Sequence, residues 1–113
     1  MNAKWLLIAC VIWATSAVAQ QKPAQFWNLT SATVVSLRLS HAGSGEYGDN
    51  LAVSDPDGID HDERLKLANI PSGRYDLELK YKGGRVCLVR NIEIDIGKVF
   101  SVEDKALTAC SKK

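Results

Sequence analysis

The sequence predicts a small all-β protein: an antiparallel β-sandwich with one disulfide bond and one short helical turn near its C-terminus. In several short segments apolar and polar residues alternate with a period of two, as they do in strands that bury one face. Proline- and glycine-containing turns separate these segments. Beyond the N-terminal segment, no long amphipathic helix competes with this arrangement in the 113 residues,.

The N-terminus has the three parts of a cleavable signal peptide. Lys4 precedes the unbroken apolar run 5–14, and the small residues that follow end in Ala17-Val18-Ala19, which fits the A-x-A cleavage rule,. Cleavage after Ala19 would leave about 94 residues with equal numbers of basic and acidic side chains,. Because nucleic-acid binding needs a basic excess, this balance disfavours a nucleic-acid partner.

A retained membrane anchor and a lipoprotein signal are the alternatives at the N-terminus. A transmembrane helix needs about 20 apolar residues, and 5–19 is shorter. The lipobox-like stretch that ends at Cys10 would leave too short an apolar core for export,. We therefore expect a secreted or periplasmic protein without a membrane span after cleavage. It would comprise the signal peptide (1–19), a flexible segment (20–25), one β domain (26–110) and a tail (111–113),.

Cys87 and Cys110 are the only cysteines left after signal cleavage, because Cys10 leaves with the signal peptide. An even number of cysteines in an oxidising compartment predicts a disulfide bond. Closing a loop of about 24 residues would be worth ~3–4 kcal/mol on the chain-entropy model. Free or metal-binding thiols are the alternative, but no histidine lies nearby in sequence to complete a metal site.

The first strands come early in the mature chain. Phe26 and Trp27 are expected to begin the core. The segment 33–39 alternates and would place on one face Val35, Leu37 and Leu39,. Leu65 and Leu67 mark a further short strand.

The C-terminal half contains the clearest alternation. One face of 74–81 would carry Tyr75, Leu77, Leu79 and Tyr81, and Gly83-Gly84 would form the next hairpin turn,. The segment 86–96 changes phase at Arg90, which either a bulge near Arg90 and Asn91 or two strands in different sheets would explain,. A last strand is predicted at 99–102, and 103–109 is the one helical segment.

Three short motifs resemble a loose group of small exported bacterial β-domain proteins of unknown function. They are Phe26-x-Asn28-Leu29-Thr30, Tyr47-Gly48-x-Asn50-Leu51 and Gly73-x-Tyr75-Asp76-Leu77. In that group the loop aromatic is often tryptophan, so Tyr47 departs from the pattern. The resemblance implies a shared scaffold and no particular activity.

The stretch Ile70-Pro71-Ser72-Gly73-Arg74-Tyr75 is also similar to a hairpin of carboxypeptidase-regulatory-like and PEGA-like β-sandwiches. This similarity implies a prealbumin-like or Ig-like arrangement of two sheets.

The long connection 40–63 is the predicted contact surface, because loops on rigid scaffolds commonly carry function,. Tyr47 is a large aromatic among small and polar residues, and such a residue either pins its loop to the domain or anchors a ligand. Asp49 and Asn50 lie beside it and are the further predicted ligand contacts.

The same connection holds the best candidate for a metal site. Five carboxylates fall within 55–63, and hard cations such as calcium take several oxygen ligands from one loop,. The candidate ligands are Asp55, Asp57, Asp60 and Asp62. Because Gly58 does not fit the register of an EF-hand, the alternative is a solvated acidic loop with turn geometry.

No catalytic residues are predicted. The segment 43–48 matches G-x-G-x-x-G, but no helix follows it to hold a pyrophosphate, so it is interpreted as a glycine-rich connection,. Ser40 and His41 are chain neighbours without a nucleophile motif, and His61 lies in the acidic loop,. Asn28-Leu29-Thr30 is a glycosylation sequon if the source is a eukaryote,.

Together these features favour a non-enzymatic exported module, structural or binding, that recognises a protein or a cell-envelope component. A calcium-binding module and a small secreted hydrolase are the alternatives. No cofactor is expected other than calcium.

Overall fold

The computed structural model describes residues 22–111, so the predicted signal peptide lies outside the described residues. The all-β prediction is confirmed. The strands are β1 (Ala24–Leu29), β2 (Val34–His41), β3 (Arg64–Leu67), β4 (Gly73–Tyr81), β5 (Val86–Ile94) and β6 (Val99–Glu103), and a 3₁₀ turn follows at Asp104–Ala106. None of the helical structure within 22–111 is long and apolar enough to cross a membrane.

The six strands form two three-stranded sheets, in the orders β3-β1-β6 and β2-β4-β5. Every pairing is antiparallel, as predicted, except that β6 runs parallel to β1. Parallel neighbours need a long crossover between them, and here the whole β2-β4-β5 sheet is inserted between β1 and β6. The chain therefore passes repeatedly from one layer of the sandwich to the other.

The core lies between the two sheets and follows the predicted alternation. In β4 the inward side chains are buried: Tyr75, Leu77, Leu79 and Tyr81. Phe26 is fully buried, and its ring lies 5.8 Å from that of Phe100. Ala24 is also buried and pairs with Leu67, so β1 begins inside the segment 20–25 that was expected to be flexible.

A bulge in β2 overturns one predicted face. Val34 pairs with Tyr81 and Ser36 with Lys80, which leaves Val35 as an extra residue,. Val34 is fully buried and Val35 only half-buried, so the prediction that Val35 faces the core was wrong. Backbone hydrogen bonds of 3.0 and 2.8 Å between Val34 and Ile59 hold Val34 in this position.

A second bulge explains the phase change in β5. Tyr75 pairs with Ile92 and Leu77 with Val89, so one residue of β4 faces two of β5. Asn91, at φ 56°, lies at this bulge, and its N–H donates to Asp76 Oδ1 over 2.8 Å. The bulge interpretation is confirmed, and β5 is one continuous strand.

The C-terminal segment closes the free edge of β5. Thr108 and Leu88 exchange backbone hydrogen bonds of 2.9 and 2.7 Å, and the predicted disulfide bond joins Cys87 to Cys110. Because Thr108 pairs as a strand residue, the helix predicted over 103–109 is reduced to the 3₁₀ turn. An edge covered in this way is not open to pairing with another chain.

Candidate functional site

A groove of about 400 Å³, called here the end groove, opens where β2 ends and β4 begins. Its volume falls within the range of roughly 300–1,000 Å³ that is usual for ligand sites. Its apolar walls are formed by Leu39, Leu51, Ile70, Pro71 and Tyr75. Its polar lining comes from Ser40, His41, Glu46, Gly48 and Asp49.

One wall is fixed by the ring of Tyr75. Its hydroxyl donates a hydrogen bond of 2.7 Å to the carbonyl oxygen of Pro71, which ties the turn before β4 to the strand. The ring of His41 stacks on Tyr75 with 5.2 Å between centroids and 26° between planes. Aromatic contacts of this kind add to the energy of burial, so contacts within the chain hold this wall in place.

The opposite wall is formed by the segment 48–51, which is hydrogen-bonded along the free edge of β2. The N–H of Gly48 donates to Leu39 O over 2.9 Å, and that of Leu51 donates to Leu37 O over 2.8 Å. Asn50 Oδ1 accepts from the N–H groups of Leu37 and Ala52 at 3.0 and 2.9 Å. The side-chain oxygen of Asn50, predicted as a ligand contact, is thus engaged in holding this wall.

Tyr47 is half-buried and is held by Arg38, with the guanidinium 6.0 Å from the ring centroid. Arg38 also donates to the carbonyl oxygen of Gly48 over 2.8 Å and forms a 3.0 Å ion pair with Glu78. Such a cation over an aromatic face is attractive. Of the two roles considered for Tyr47, these contacts favour pinning the loop.

Asp76 fixes the start of the same loop. Its buried carboxylate accepts backbone N–H groups from Gly43 at 3.0 Å and from Asn91 at 2.8 Å. These two hydrogen bonds, first that of Gly43, hold the pKa of Asp76 below its ordinary value; the charge of Arg90 acts in the same direction, and burial opposes it,. One carboxylate therefore joins the loop to the β5 bulge.

Glu46 and Asp49 form the rim of the end groove, and both are exposed. Neither carboxylate has a hydrogen bond or an ion pair with any residue in 22–111. The rim is therefore negatively charged and uncompensated within the described chain. Asp49 is the one predicted ligand contact whose side chain is left unengaged at the groove.

The four candidate calcium ligands are dispersed. Asp60 Oδ1 accepts from the Thr33 hydroxyl over 2.6 Å, and Asp62 Oδ1 accepts from Trp27 Nε1 over 3.0 Å. Asp57 is exposed, and Asp55 supplies backbone groups to a turn. Within 22–111 no three side chains among His, Cys, Asp and Glu are grouped so that they could hold a metal ion.

Ser40 and His41 do not form a nucleophile–base pair. Neighbouring residues of a strand point to opposite faces; His41 stacks on Tyr75, whereas Ser40 is paired in register with Asp76. The buried hydroxyl of Ser40 has no hydrogen-bond partner among the described residues. The glycine motif at 43–48 is a connection without a following helix, as interpreted from the sequence.

Asn28 and Thr30 of the predicted glycosylation sequon belong to a buried polar network. Asn28 is fully buried, and its Nδ2 donates to Ile59 O and Ala32 O at 2.8 and 2.9 Å. Its Oδ1 accepts from Thr30, whose hydroxyl also accepts from Tyr81 over 3.1 Å. Burial raises the pKa of Tyr81. A glycan on Asn28 would not fit the folded domain.

His61 belongs to the same region. Its Nδ1 lies 3.0 Å from the carbonyl oxygen of Thr30. The ring therefore joins the acidic loop to the residues around Asn28.

Sequence patterns missed one wall of the groove. Pro71 was assigned to a turn and Ile70 only to a hairpin-like stretch. Both line the groove beside Tyr75, whose alternation indicated only the core. Arg38 could be predicted only as an outward residue of its strand, and its pairing with Glu78 is a finding of the structure. Their roles depend on contacts between segments far apart in the chain.

No family model matches this chain, and no match was found among curated proteins or solved structures. Function is therefore inferred from the geometry of the chain itself.

Proposed function

We propose that this protein is an exported, non-enzymatic binding module of the periplasm or the extracellular space. It binds a protein or another envelope component through the end groove. One observation carries this proposal: two walls held by hydrogen bonds within the chain flank an open apolar groove whose rim charges have no partner within the described chain.

The hydrogen bonds that hold both walls support a binding role. The Tyr75–Pro71 hydrogen bond sets one wall, and the backbone bonds of Gly48 and Leu51 to β2 set the other. A preorganised site loses little conformational entropy when a ligand binds, so more of the contact energy appears as affinity.

Two features support export. The N-terminal sequence has the charged, apolar and small-residue regions of a signal peptide,. The Cys87–Cys110 disulfide is of the kind that persists in oxidising compartments,.

The test is partner capture with matched variants of the domain beginning at Gln20. Immobilised wild type, Ile70→Ser and Val53→Ser would be incubated with an envelope extract from the source cells. Ile70 lines the groove, whereas Val53 is an apolar side chain of the same long connection, 74% exposed and outside it.

The Ile70→Ser variant is expected to lose the retained partner and Val53→Ser to keep it, with both variants folded by circular dichroism. His41→Ala, which removes an exposed groove side chain, serves if Ile70→Ser does not fold. Equal retention by wild type and folded groove variants would exclude the end groove as the contact surface.

A further inference from the structure

We infer that the end groove takes an apolar side chain flanked by lysine or arginine, presented by an exposed segment of a protein partner. This inference rests on the proposed function, because it names the ligand class of the same groove. It follows from the contrast between the charge of the rim and the chemistry of the walls.

The negative charge of the rim favours a cationic ligand. The carboxylates of Glu46 and Asp49, which line the groove, have no polar partner within the described chain, and the equally unpartnered carboxylate of Asp57 lies outside the groove. Arg38, the cation beside this loop, is already held by the Gly48 carbonyl, Glu78 and the Tyr47 ring. A lysine or arginine of the partner can therefore supply charge-assisted hydrogen bonds to the rim.

The walls require apolar surface on the same ligand. Leu39, Leu51, Ile70 and Tyr75 line the same groove as the two carboxylates. A metal cation brings no apolar group, and a free polyamine brings only short methylene runs between its charges, so neither would cover these walls as a branched apolar side chain does. A leucine-like side chain would bury against them and contribute through the hydrophobic effect.

The negative charge of Glu46 and Asp49 disfavours anionic ligands from the cell envelope. A phospholipid or lipopolysaccharide with its acyl chain in the groove would place phosphate close to Glu46 and Asp49. Like charges in such proximity repel, and the penalty increases where water is excluded. A basic, apolar segment of a protein satisfies both the rim and the walls.

Fluorescence anisotropy with labelled, capped peptides tests the ligand class. One peptide alternates leucine with lysine, a second replaces lysine by glutamate, and a third replaces leucine by serine. Only the leucine–lysine peptide is expected to bind, with an affinity that falls as salt rises because the rim charges are exposed,.

Charge variants locate that binding. The double variant Glu46→Gln/Asp49→Asn should bind the leucine–lysine peptide about fivefold more weakly, as expected for two exposed ion pairs. Asp57→Asn is the matched control: it removes one carboxylate of the same connection that is exposed, outside the groove and without a described partner. It should bind like wild type.

Each other outcome overturns the inference. Absence of groove-dependent binding by the leucine–lysine peptide, or equal binding of the glutamate peptide, excludes a basic ligand. Equal binding of the serine peptide indicates a polyamine-like cation, and Ile70-dependent binding to phosphatidylglycerol vesicles indicates lipid.

The envelope-capture assay separates this failure from failure of the proposed function. If Ile70→Ser loses the captured partner while Glu46→Gln/Asp49→Asn retains it fully, the groove binds but its ligand is not basic. If both variants retain the partner fully, the proposed function fails as well.

Discussion

The long connection between β2 and β3 has two halves that both carry carboxylates but differ in structure. The first half, 42–51, is mostly exposed, and its carboxylates at Glu46 and Asp49 have no partner in the described chain. In the second half, 52–63, Ala52 and Ile59 are buried at 1% and 0% exposure. The carboxylates of Asp60 and Asp62 there accept hydrogen bonds from Thr33 and Trp27.

The difference shows that the role of a carboxylate in this connection depends on the contacts it makes. The second half crosses the sandwich where Ile59 pairs with Val34 and where Asn28 donates to the Ile59 carbonyl. The carboxylates of Asp60 and Asp62 therefore act in stability. The first half is attached mainly through its backbone, so its rim side chains remain available for recognition.

The largest expected effect comes from substituting the glycine of the second half. A Cβ at Gly58, φ +89°, would lie 2.6 Å from Thr33 Cγ2 and 2.9 Å from the Val34 carbonyl oxygen. Gly58→Ala should therefore lower the free energy of unfolding by about 3–4 kcal/mol, from left-handed strain plus overpacking. Urea unfolding followed by circular dichroism measures this loss.

Gly45→Ala is the matched control in the first half. Gly45 also has a positive φ, +70°, but no atom lies within 4 Å of the position of its Cβ. Only the conformational cost of about 1 kcal/mol should remain. Equal losses at the two positions would contradict the distinction between a packed and an open half.

A smaller, pH-dependent effect is expected at Asp76, which fastens the start of the first half. Because backbone N–H groups lower its folded pKa, the ionised carboxylate stabilises the fold above its unfolded pKa of about 3.9,. Asp76→Asn should cost about 1–3 kcal/mol at neutral pH, because an amide has only one acceptor oxygen and can keep only one of the hydrogen bonds from Gly43 and Asn91,.

The wild-type contribution is lost as pH falls from about 4 through the lower folded pKa. The difference in unfolding free energy between wild type and Asp76→Asn should therefore narrow in acid, as urea titrations at neutral and acid pH would show. Asp57→Asn should not change the free energy of unfolding at neutral or at acid pH, since that carboxylate is exposed. A difference independent of pH would exclude this role for Asp76.

Asp76 also shows where prediction from sequence ends. The alternation in 74–81 correctly separated its inward residues, but it made Asp76 an ordinary outward residue. Its two backbone partners belong to a loop and to a bulge far away in sequence. Period-two patterns depend on local geometry, whereas bulges at Val35 and Asn91 depend on which strand lies opposite,.

The candidate site was predictable to a similar extent. The connection 40–63 does supply one wall and the rim, including Asp49. Ile70 and Pro71 could not be joined to it, because only the folded sandwich brings the turn before β4 alongside this connection. Asn50 looked available because no local pattern indicates that its oxygen would accept from Leu37 and Ala52.

The smallest expected effect is a difference in stability between substitutions of the carboxylates in the two halves. Asp60→Ala and Asp62→Ala should each lower the free energy of unfolding by about 0.5–1 kcal/mol, since each removes a hydrogen bond to a neighbouring segment,. Asp62 also has a φ of 73°, which aspartate tolerates better than alanine does,.

Glu46→Ala and Asp49→Ala should change the free energy of unfolding by less than about 0.5 kcal/mol, because their side chains contact no described partner,. Urea titrations of the four variants, run in parallel, measure the free energy of unfolding for both pairs of substitutions. If the rim substitutions cost as much as those at Asp60 and Asp62, Glu46 and Asp49 act in stability, and weaker peptide binding by their variants could reflect a damaged loop. If they cost nothing, such a loss of binding reports the missing charges themselves.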